Sequence, residues 1–165
     1  MLFRHTHASP NPARLSPGLR RRYVAAEKIE TLLGRCKLVA QVFVYGDSLQ
    51  SYLVAVVVPD AEEVAGWAKA NGAPSTELAK IVAGAQAGAL HDALFAQIRA
   101  ASKEARLAGF EYVKKIHIEP EVWSVDNGML TPTFKLKRVD LKKRYQPILD
   151  QLYAQAPAAA PTSKL

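Results

Sequence analysis

Apolar residues first recur at helical spacing at Ala25, Ile29, Leu32 and Leu33, and Gly34 follows as a stop. That spacing predicts an amphipathic helix. Two apolar, β-branched runs come next, at about 38–45 and 51–58, separated by Gly46-Asp47-Ser48-Leu49-Gln50. A short turn-rich gap between such runs predicts a hairpin. The second run is apolar on both faces near its end, which suits a central strand. Pro59-Asp60 closes it, and Asp60 can cap a helix carrying Val64, Trp67 and Ala68. After the loop Asn71-Gly72-Ala73-Pro74, residues 75–107 are Ala-rich and helical in pattern. Leu90, Leu94 and Ile98 share one face there, and Gly84 and Gly88 predict a break. Lys115 to Glu119 alternates as a short strand closed by Pro120, and Asp126-Asn127-Gly128 is a turn. The loop Thr131-Pro132-Thr133 leads to a last helix at about 138–154, with Leu141, Tyr145, Ile148 and Leu152 inward and Lys142, Lys143 and Asp150 outward. Helix, hairpin, helices, strand and helix in that order predict an α+β fold, a small sheet with a hairpin packed against several helices.

The ends break the pattern. Residues 1–22 hold three prolines, five arginines and no acid, without a periodic apolar face. They read as a flexible basic arm. The lack of acids also suits an organellar transit peptide, although Pro10, Pro12 and Pro17 spoil an amphipathic helix, and a misassigned gene start would look the same. Residues 155–165 form an Ala/Pro-rich tail. The folded domain is therefore expected at 23–154.

Composition narrows the classes. The 165 residues suffice for one compact core without a covalent staple. A single cysteine, Cys36, excludes an intrachain disulfide and a multi-cysteine zinc site. The longest apolar run, Leu53 to Val58, is far short of the roughly 20 residues that cross a bilayer. No transmembrane segment is expected, and the domain reads as soluble and intracellular. The net charge of +7 sits at the two ends: residues 23–110 carry eight basic and nine acidic groups, and 111–165 carry nine and six. A nucleic-acid binder would carry its charge as a stripe interleaved with exposed aromatics, so no nucleic-acid partner is expected.

No self-sufficient active site emerges from spacing. His5, His7, His91 and His117 are not paired as metal ligands on one helix face, no glycine-rich phosphate loop occurs, and no serine sits in a nucleophile elbow. No metal site is expected. The informative stretch is 126–138, DNGMLTPTFKLKR. A lysine on a Thr/Pro-restrained loop directly before a helix N-terminus is well placed to bind phosphate or carboxylate, because its ammonium is a movable point charge and the helix dipole favours anions. The plain alternative is a solvated basic face on which Lys135, Lys137, Arg138, Lys142, Lys143 and Arg144 only confer solubility.

Three segments, YVAAEKIE at 23–30, QVFVYGDSLQSYLVAVVVPD at 41–60 and VDNGMLTPTFKLKR at 125–138, resemble the C-terminal lid region of eukaryotic long-chain fatty-acid–CoA ligases of the adenylate-forming (AMP-binding) superfamily. The resemblance spans roughly residues 23–154. It implies a two-step reaction: a fatty-acid carboxylate attacks the α-phosphate of ATP with Mg²⁺, and the CoA thiol then displaces AMP. A large N-terminal domain binds the nucleotide, and the small C-terminal domain is a mobile lid that supplies a lysine for the first step and forms part of the CoA channel in the second. Aligned by the last motif, Lys135 falls on the adenylation lysine, with Lys137 as runner-up. Tyr23 and Arg138 become candidate cofactor-binding residues, and Glu27, Lys28, Ile29 and Glu30 match the lid's opening helix in a structural role.

Two departures qualify this picture. The family's Gly-Glu-Tyr before the opening helix is replaced by Arg21 and Arg22 ahead of Tyr23, and a bulky Arg21 should hinder the CoA channel. The ATP-binding domain and the hinge are absent, so this chain alone is not expected to make acyl-CoA or to hold ATP, Mg²⁺ or CoA tightly. The implied partner is that N-terminal adenylation domain, in cis or in trans. The alternative is a stand-alone lid that docks on a full synthetase or binds CoA-like anions without turnover. Ser163-Lys164-Leu165 match the tripeptide read by the peroxisomal import receptor, which predicts a peroxisomal address.

Overall fold

β-Branched residues with no polar face need cover on both sides, and the segment richest in them becomes the middle of the fold. The computed structural model describes residues 25–155. Its elements are α1 (Ala26–Leu33), β1 (Val39–Gly46), β2 (Leu53–Pro59), α2 (Ala61–Ala70), α3 (Leu78–Ala83), α4 (Ala87–Glu104), β3 (Val113–Ile118) and α5 (Arg138–Ala154). The strands form one sheet in the order β1-β2-β3. β1 and β2 are the antiparallel hairpin expected from the sequence, with Val42 opposite Val57 and Val44 opposite Ala55. β3 joins the other edge of β2 in parallel, with Ala55 opposite Ile116. The chain between β2 and β3, carrying α2, α3 and α4, supplies the long crossover that a parallel pair requires.

Every residue of β2 is buried. Its side chains alternate between two apolar layers, as the period of a strand dictates. Leu53, Ala55 and Val57 pack with Ile29, Leu33, Val64, Ile81, Leu90, Leu94 and Ile98. Val54, Val56 and Val58 pack with Phe43, Trp123, Leu141, Tyr145 and Leu149. The sheet is therefore sandwiched, with α1 to α4 on one face and α5 plus the 120–130 loop on the other. Asp60 caps α2 as expected: its Oδ1 accepts from the N–H groups of Glu62 at 3.0 Å and Glu63 at 3.1 Å. Such a cap contributes about 1 kcal/mol.

One expectation is met at Gly84 and another shifts in detail. The Ala-rich stretch divides into α3 and α4 at Gly84-Ala85-Gln86, where Gly84 is extended and a Cβ would lie 2.8 Å from the Lys80 carbonyl oxygen. The inward stripe of α5 is Leu141, Tyr145 and Leu149, while Ile148 and Leu152 are only half-buried at its margin. The i, i+4, i+8 spacing of the observed stripe aims one narrow face at β2.

The α5 layer has a polar spine that fixes the loop before the helix. The Trp123 indole N–H donates to the Tyr145 hydroxyl at 2.9 Å, which in turn donates to Glu119 Oε2 at 2.8 Å. The Gln41 side-chain amide pairs with the Trp123 backbone in both directions, at 2.8 and 2.9 Å. Burial, with the Glu119 bond helping, pushes the Tyr145 hydroxyl up to about 12. A phenol whose folded pKa is raised contributes stability that is complete below its unfolded value near 10 and is lost as pH rises toward 12. Urea melts between pH 8 and 12 should show that loss, and Tyr145→Phe should reduce it, the remainder coming from Tyr153, which burial also pushes up to about 12. At neutral pH the same substitution leaves the Trp123 N–H unpaired in the core and should cost about 1–3 kcal/mol. An unchanged pH profile in the variant would remove Tyr145 as a source.

Candidate functional site

The 124–138 segment is a self-bonded loop. Asn127 Oδ1 accepts from the backbone N–H groups of Ser124 at 2.9 Å and Met129 at 3.3 Å, and its Nδ2 donates to the Val122 carbonyl at 2.9 Å. Gly128 sits at φ +74°, which glycine adopts without penalty. Beyond this turn the chain doubles back on itself. Leu130 bridges Leu136 in antiparallel fashion, the Thr131 N–H donates to the Lys135 carbonyl at 2.8 Å, and the Lys137 N–H donates to the Met129 carbonyl at 2.9 Å. The Thr131 hydroxyl accepts from the Lys135 N–H at 3.1 Å and lies 3.0 Å from the Thr133 hydroxyl. Phe134, at φ +58°, makes the tight reversal in a conformation that side chains rarely adopt.

That frame holds Lys135 out at the surface. Lys135 is exposed, and among the described residues no carboxylate lies within ion-pair distance of it. Phe134 beside it is 77% exposed and Val139 68%.

The two neighbouring cations are engaged. The Lys137 ammonium lies 2.9 Å from Asp140 Oδ2 across the first turn of α5, and that contact holds the Asp140 carboxyl below its usual value. Arg138 points the other way. Its Nη1 donates to both Glu30 oxygens, at 2.7 and 2.9 Å, and its Nη2 donates to the Val44 carbonyl at 2.8 Å. Its guanidinium carbon lies 5.1 Å from the centre of the Phe43 ring. Glu30 Oε1 also accepts from the Val44 N–H at 2.8 Å. The Arg138–Glu30 pair thereby closes the outward-facing edge of β1 at Val44 and ties α1 to the start of α5.

The structure thus brings Lys135, Lys137 and Arg138 into one segment but gives them different surroundings. Tyr23, the other candidate cofactor-binding residue, Arg21, and the tripeptide Ser163, Lys164 and Leu165 lie outside the described residues, as do His5 and His7. Sequence reasoning missed the Arg138–Glu30 connection and the left-handed Phe134. Glu30 and Arg138 are 108 positions apart, and opposite charge alone could have paired them. Among the described residues no group of three or more His, Cys, Asp or Glu side chains could hold a metal ion. No described helix is long and apolar enough to cross a membrane.

Comparison with known proteins bears on this arrangement. Residues 28–86 match the AMP-binding enzyme C-terminal domain. Long chain acyl-CoA synthetase 2 of Arabidopsis thaliana is 40% identical over 134 residues, covering 81% of this chain. Fatty acyl-CoA synthetase A of Dictyostelium discoideum is 44% identical over 133 residues. Over these stretches the chain is similar to the C-terminal portion of adenylate-forming enzymes. Its fold agrees with that of the adenylation domain of a carboxylate reductase from Mycobacterium chelonae, at 32% identity and a TM-score of 0.66, covering 80% of this chain and 18% of that one. The adenylation domain of a carboxylic acid reductase from Segniliparus rugosus, in complex with AMP and a co-purified carboxylic acid, gives 32% and 0.62. The chain spans only about a fifth of the length of the synthetases it matches, 20% for each of the two named. The matched region runs from within α1 through the hairpin and α2 to just past α3, and the Lys135 loop lies beyond it in the chain.

Proposed function

We propose that this domain is the lid of a long-chain fatty-acid–CoA ligase and that Lys135 is the residue it delivers to the reacting groups. One observation carries the reading: Lys135 is an exposed ammonium without a carboxylate partner among the described residues, on a loop whose backbone is bonded at Thr131, Leu130 and Met129. A fixed loop bearing an uncommitted cation supplies preorganised charge stabilisation, since nothing has to be broken when the anion arrives.

ATP supplies the α-phosphate that the fatty-acid carboxylate attacks, releasing pyrophosphate. Lys135 fits that chemistry, bridging carboxylate and phosphate oxygens and offsetting the charge that grows between them. Mg²⁺ would be held largely by the nucleotide's own phosphates, as is usual in nucleotide chemistry. Exposed Phe134 and Val139 would rest on that domain when the lid closes and exclude water from the reaction. Lys137 stays the runner-up, because reaching an anion would cost it its contact with Asp140. Arg138, with three of its donors bound inside the lid, acts on this reading by holding the Lys135 loop in place and does not contact the nucleotide.

The test is a graft. Residues 25–155 replace the corresponding part of an active long-chain ligase, and fatty-acid-dependent pyrophosphate release is measured. Recovered activity supports the reading; a folded hybrid without adenylate formation overturns it. For location, we propose that Ser163-Lys164-Leu165 direct the protein to peroxisomes, a reading supported by relatives named peroxisomal at 35% and 36% identity. A fluorescent reporter ending in residues 155–165 should collect in peroxisomes and become diffuse when Leu165 is removed. A diffuse parent reporter would sink that address.

A further inference from the structure

A second site lies at the opposite edge of the sheet, away from the Lys135 loop. Where β3 begins, a cleft of about 430 Å³ opens between α4 and the Gly109–Glu111 turn. That volume falls in the range of small-molecule pockets. Tyr52, Phe95 and Tyr112 provide aromatic walls, and Arg99, Lys114 and Lys115 bring three cations to the same cleft. Among the described residues none of these cations has a carboxylate partner, although the Lys115 ammonium donates to the Gln155 carbonyl at 2.7 Å, which leaves Arg99 and Lys114 without an anionic or carbonyl partner. The Glu111 carboxylate in the adjoining turn is bonded back to the Ala108 N–H at 2.9 Å. Arg99 and Lys114 rest on aromatic rings, 5.9 Å from the Phe95 centroid and 5.4 Å from the Tyr52 centroid.

The second observation is Tyr52 itself. It lines the cleft, is 9% exposed, and its hydroxyl is buried without a hydrogen-bond partner. The hydroxyl is sealed from the cleft, so what Tyr52 offers a ligand is its ring, with the Lys114 ammonium 5.4 Å from the centroid.

We propose that this cleft binds a small amphipathic anion, an alkyl or aromatic body seated on the rings with a single carboxylate or phosphate head held by Arg99 and Lys114. The apolar walls distinguish it from a bare anion site, and the unpaired cations distinguish it from a neutral apolar pocket. The inference does not depend on the adenylation role of Lys135.

The whole 165-residue chain, labelled with ¹⁵N, is titrated with decanoate, decyl phosphate, decan-1-ol and adenosine 3′,5′-bisphosphate. Decanoate or decyl phosphate should bind saturably, with amide shifts centred on Tyr52, Phe95, Arg99 and residues 112–115. Whichever binds tighter identifies the head group. Decan-1-ol should bind about tenfold more weakly, the loss expected for one charge-assisted contact. Lys114→Gln should weaken the anion similarly. Arg99→Gln should weaken it to a similar degree, whereas Tyr52→Phe, which keeps the ring and removes only a buried hydroxyl, should bind the anion unchanged. Non-saturable binding, equal affinity for decan-1-ol, shifts centred on Phe134 and Leu49, or tighter binding of the bisphosphate would each overturn the proposal.

Discussion

Lys135→Ala in the hybrid ligase should lower the rate of adenylate formation about 10²- to 10³-fold, the scale seen when one preorganised stabiliser of transition-state charge is removed. Thioester formation from supplied acyl-adenylate should be nearly spared, since on this reading the lid delivers Lys135 for the first step and forms part of the CoA channel in the second. The fold should not notice: Lys135 is exposed and carries no described ion pair, so stability should stay within about 0.5 kcal/mol. Lys135→Arg tests geometry against charge. A planar fork cannot take the place of a compact ammonium between two tetrahedral and trigonal groups, so most of the loss should persist. Lys137→Ala, which breaks only an exposed contact with Asp140, should change the rate by no more than a few-fold. Equal losses in both half-reactions would mean that Lys135 closes the lid and does not touch the reacting atoms. A larger effect at Lys137 would transfer the role to the neighbour.

How much of this was legible in the chain depends on the range of the interactions involved. The hairpin was, because β1 and β2 are joined by a short turn and β2 is apolar on both faces; their pairing is local and patterned. The Asp60 cap and the division at Gly84 were equally local. The parallel docking of β3 against β2 was not, since nothing in Val113–Ile118 says which strand it will join or in which direction. In α5 the expected Ile148 and Leu152 do pack against the core, at its margin, but Leu149 was missed: periodicity admits all three, and only the facing β2 valines decide which is fully buried. At the site, the motif located Lys135, and the resemblance gave it a role. That Lys135 is free while Lys137 and Arg138 are engaged follows from contacts the sequence does not display, one of them spanning 108 positions.

That long contact makes the second large prediction. Arg138 is one-third exposed at its side chain and Glu30 one-tenth, at 35% and 10%, so the pair is mostly removed from water. Its attraction alone is weak ground for stability, because desolvation offsets it. Removing one partner is a different matter. Glu30→Ala strands the guanidinium and also leaves the Val44 N–H on the edge of β1 without its acceptor. Arg138→Ala strands the Glu30 carboxylate and frees the Val44 carbonyl. Each should cost about 2–3 kcal/mol, below the 3–5 of a fully buried pair because Arg138 still sees solvent. In urea denaturation the double variant should lose clearly less than the sum of the two, since neither charge is then left alone. Arg138→Lys should recover little, because one ammonium cannot donate to both Glu30 oxygens and the Val44 carbonyl while covering the Phe43 ring. The catalytic consequence should be graded. Arg138 is the first residue of α5 and Lys135 stands three positions before it, so loosening the clamp misplaces the ammonium without removing it. In the hybrid ligase Arg138→Ala should therefore slow adenylate formation less than Lys135→Ala does, and the two substitutions together should be no worse than Lys135→Ala alone. Additive rate losses would show that Arg138 meets the nucleotide directly, and the positioning role would fall.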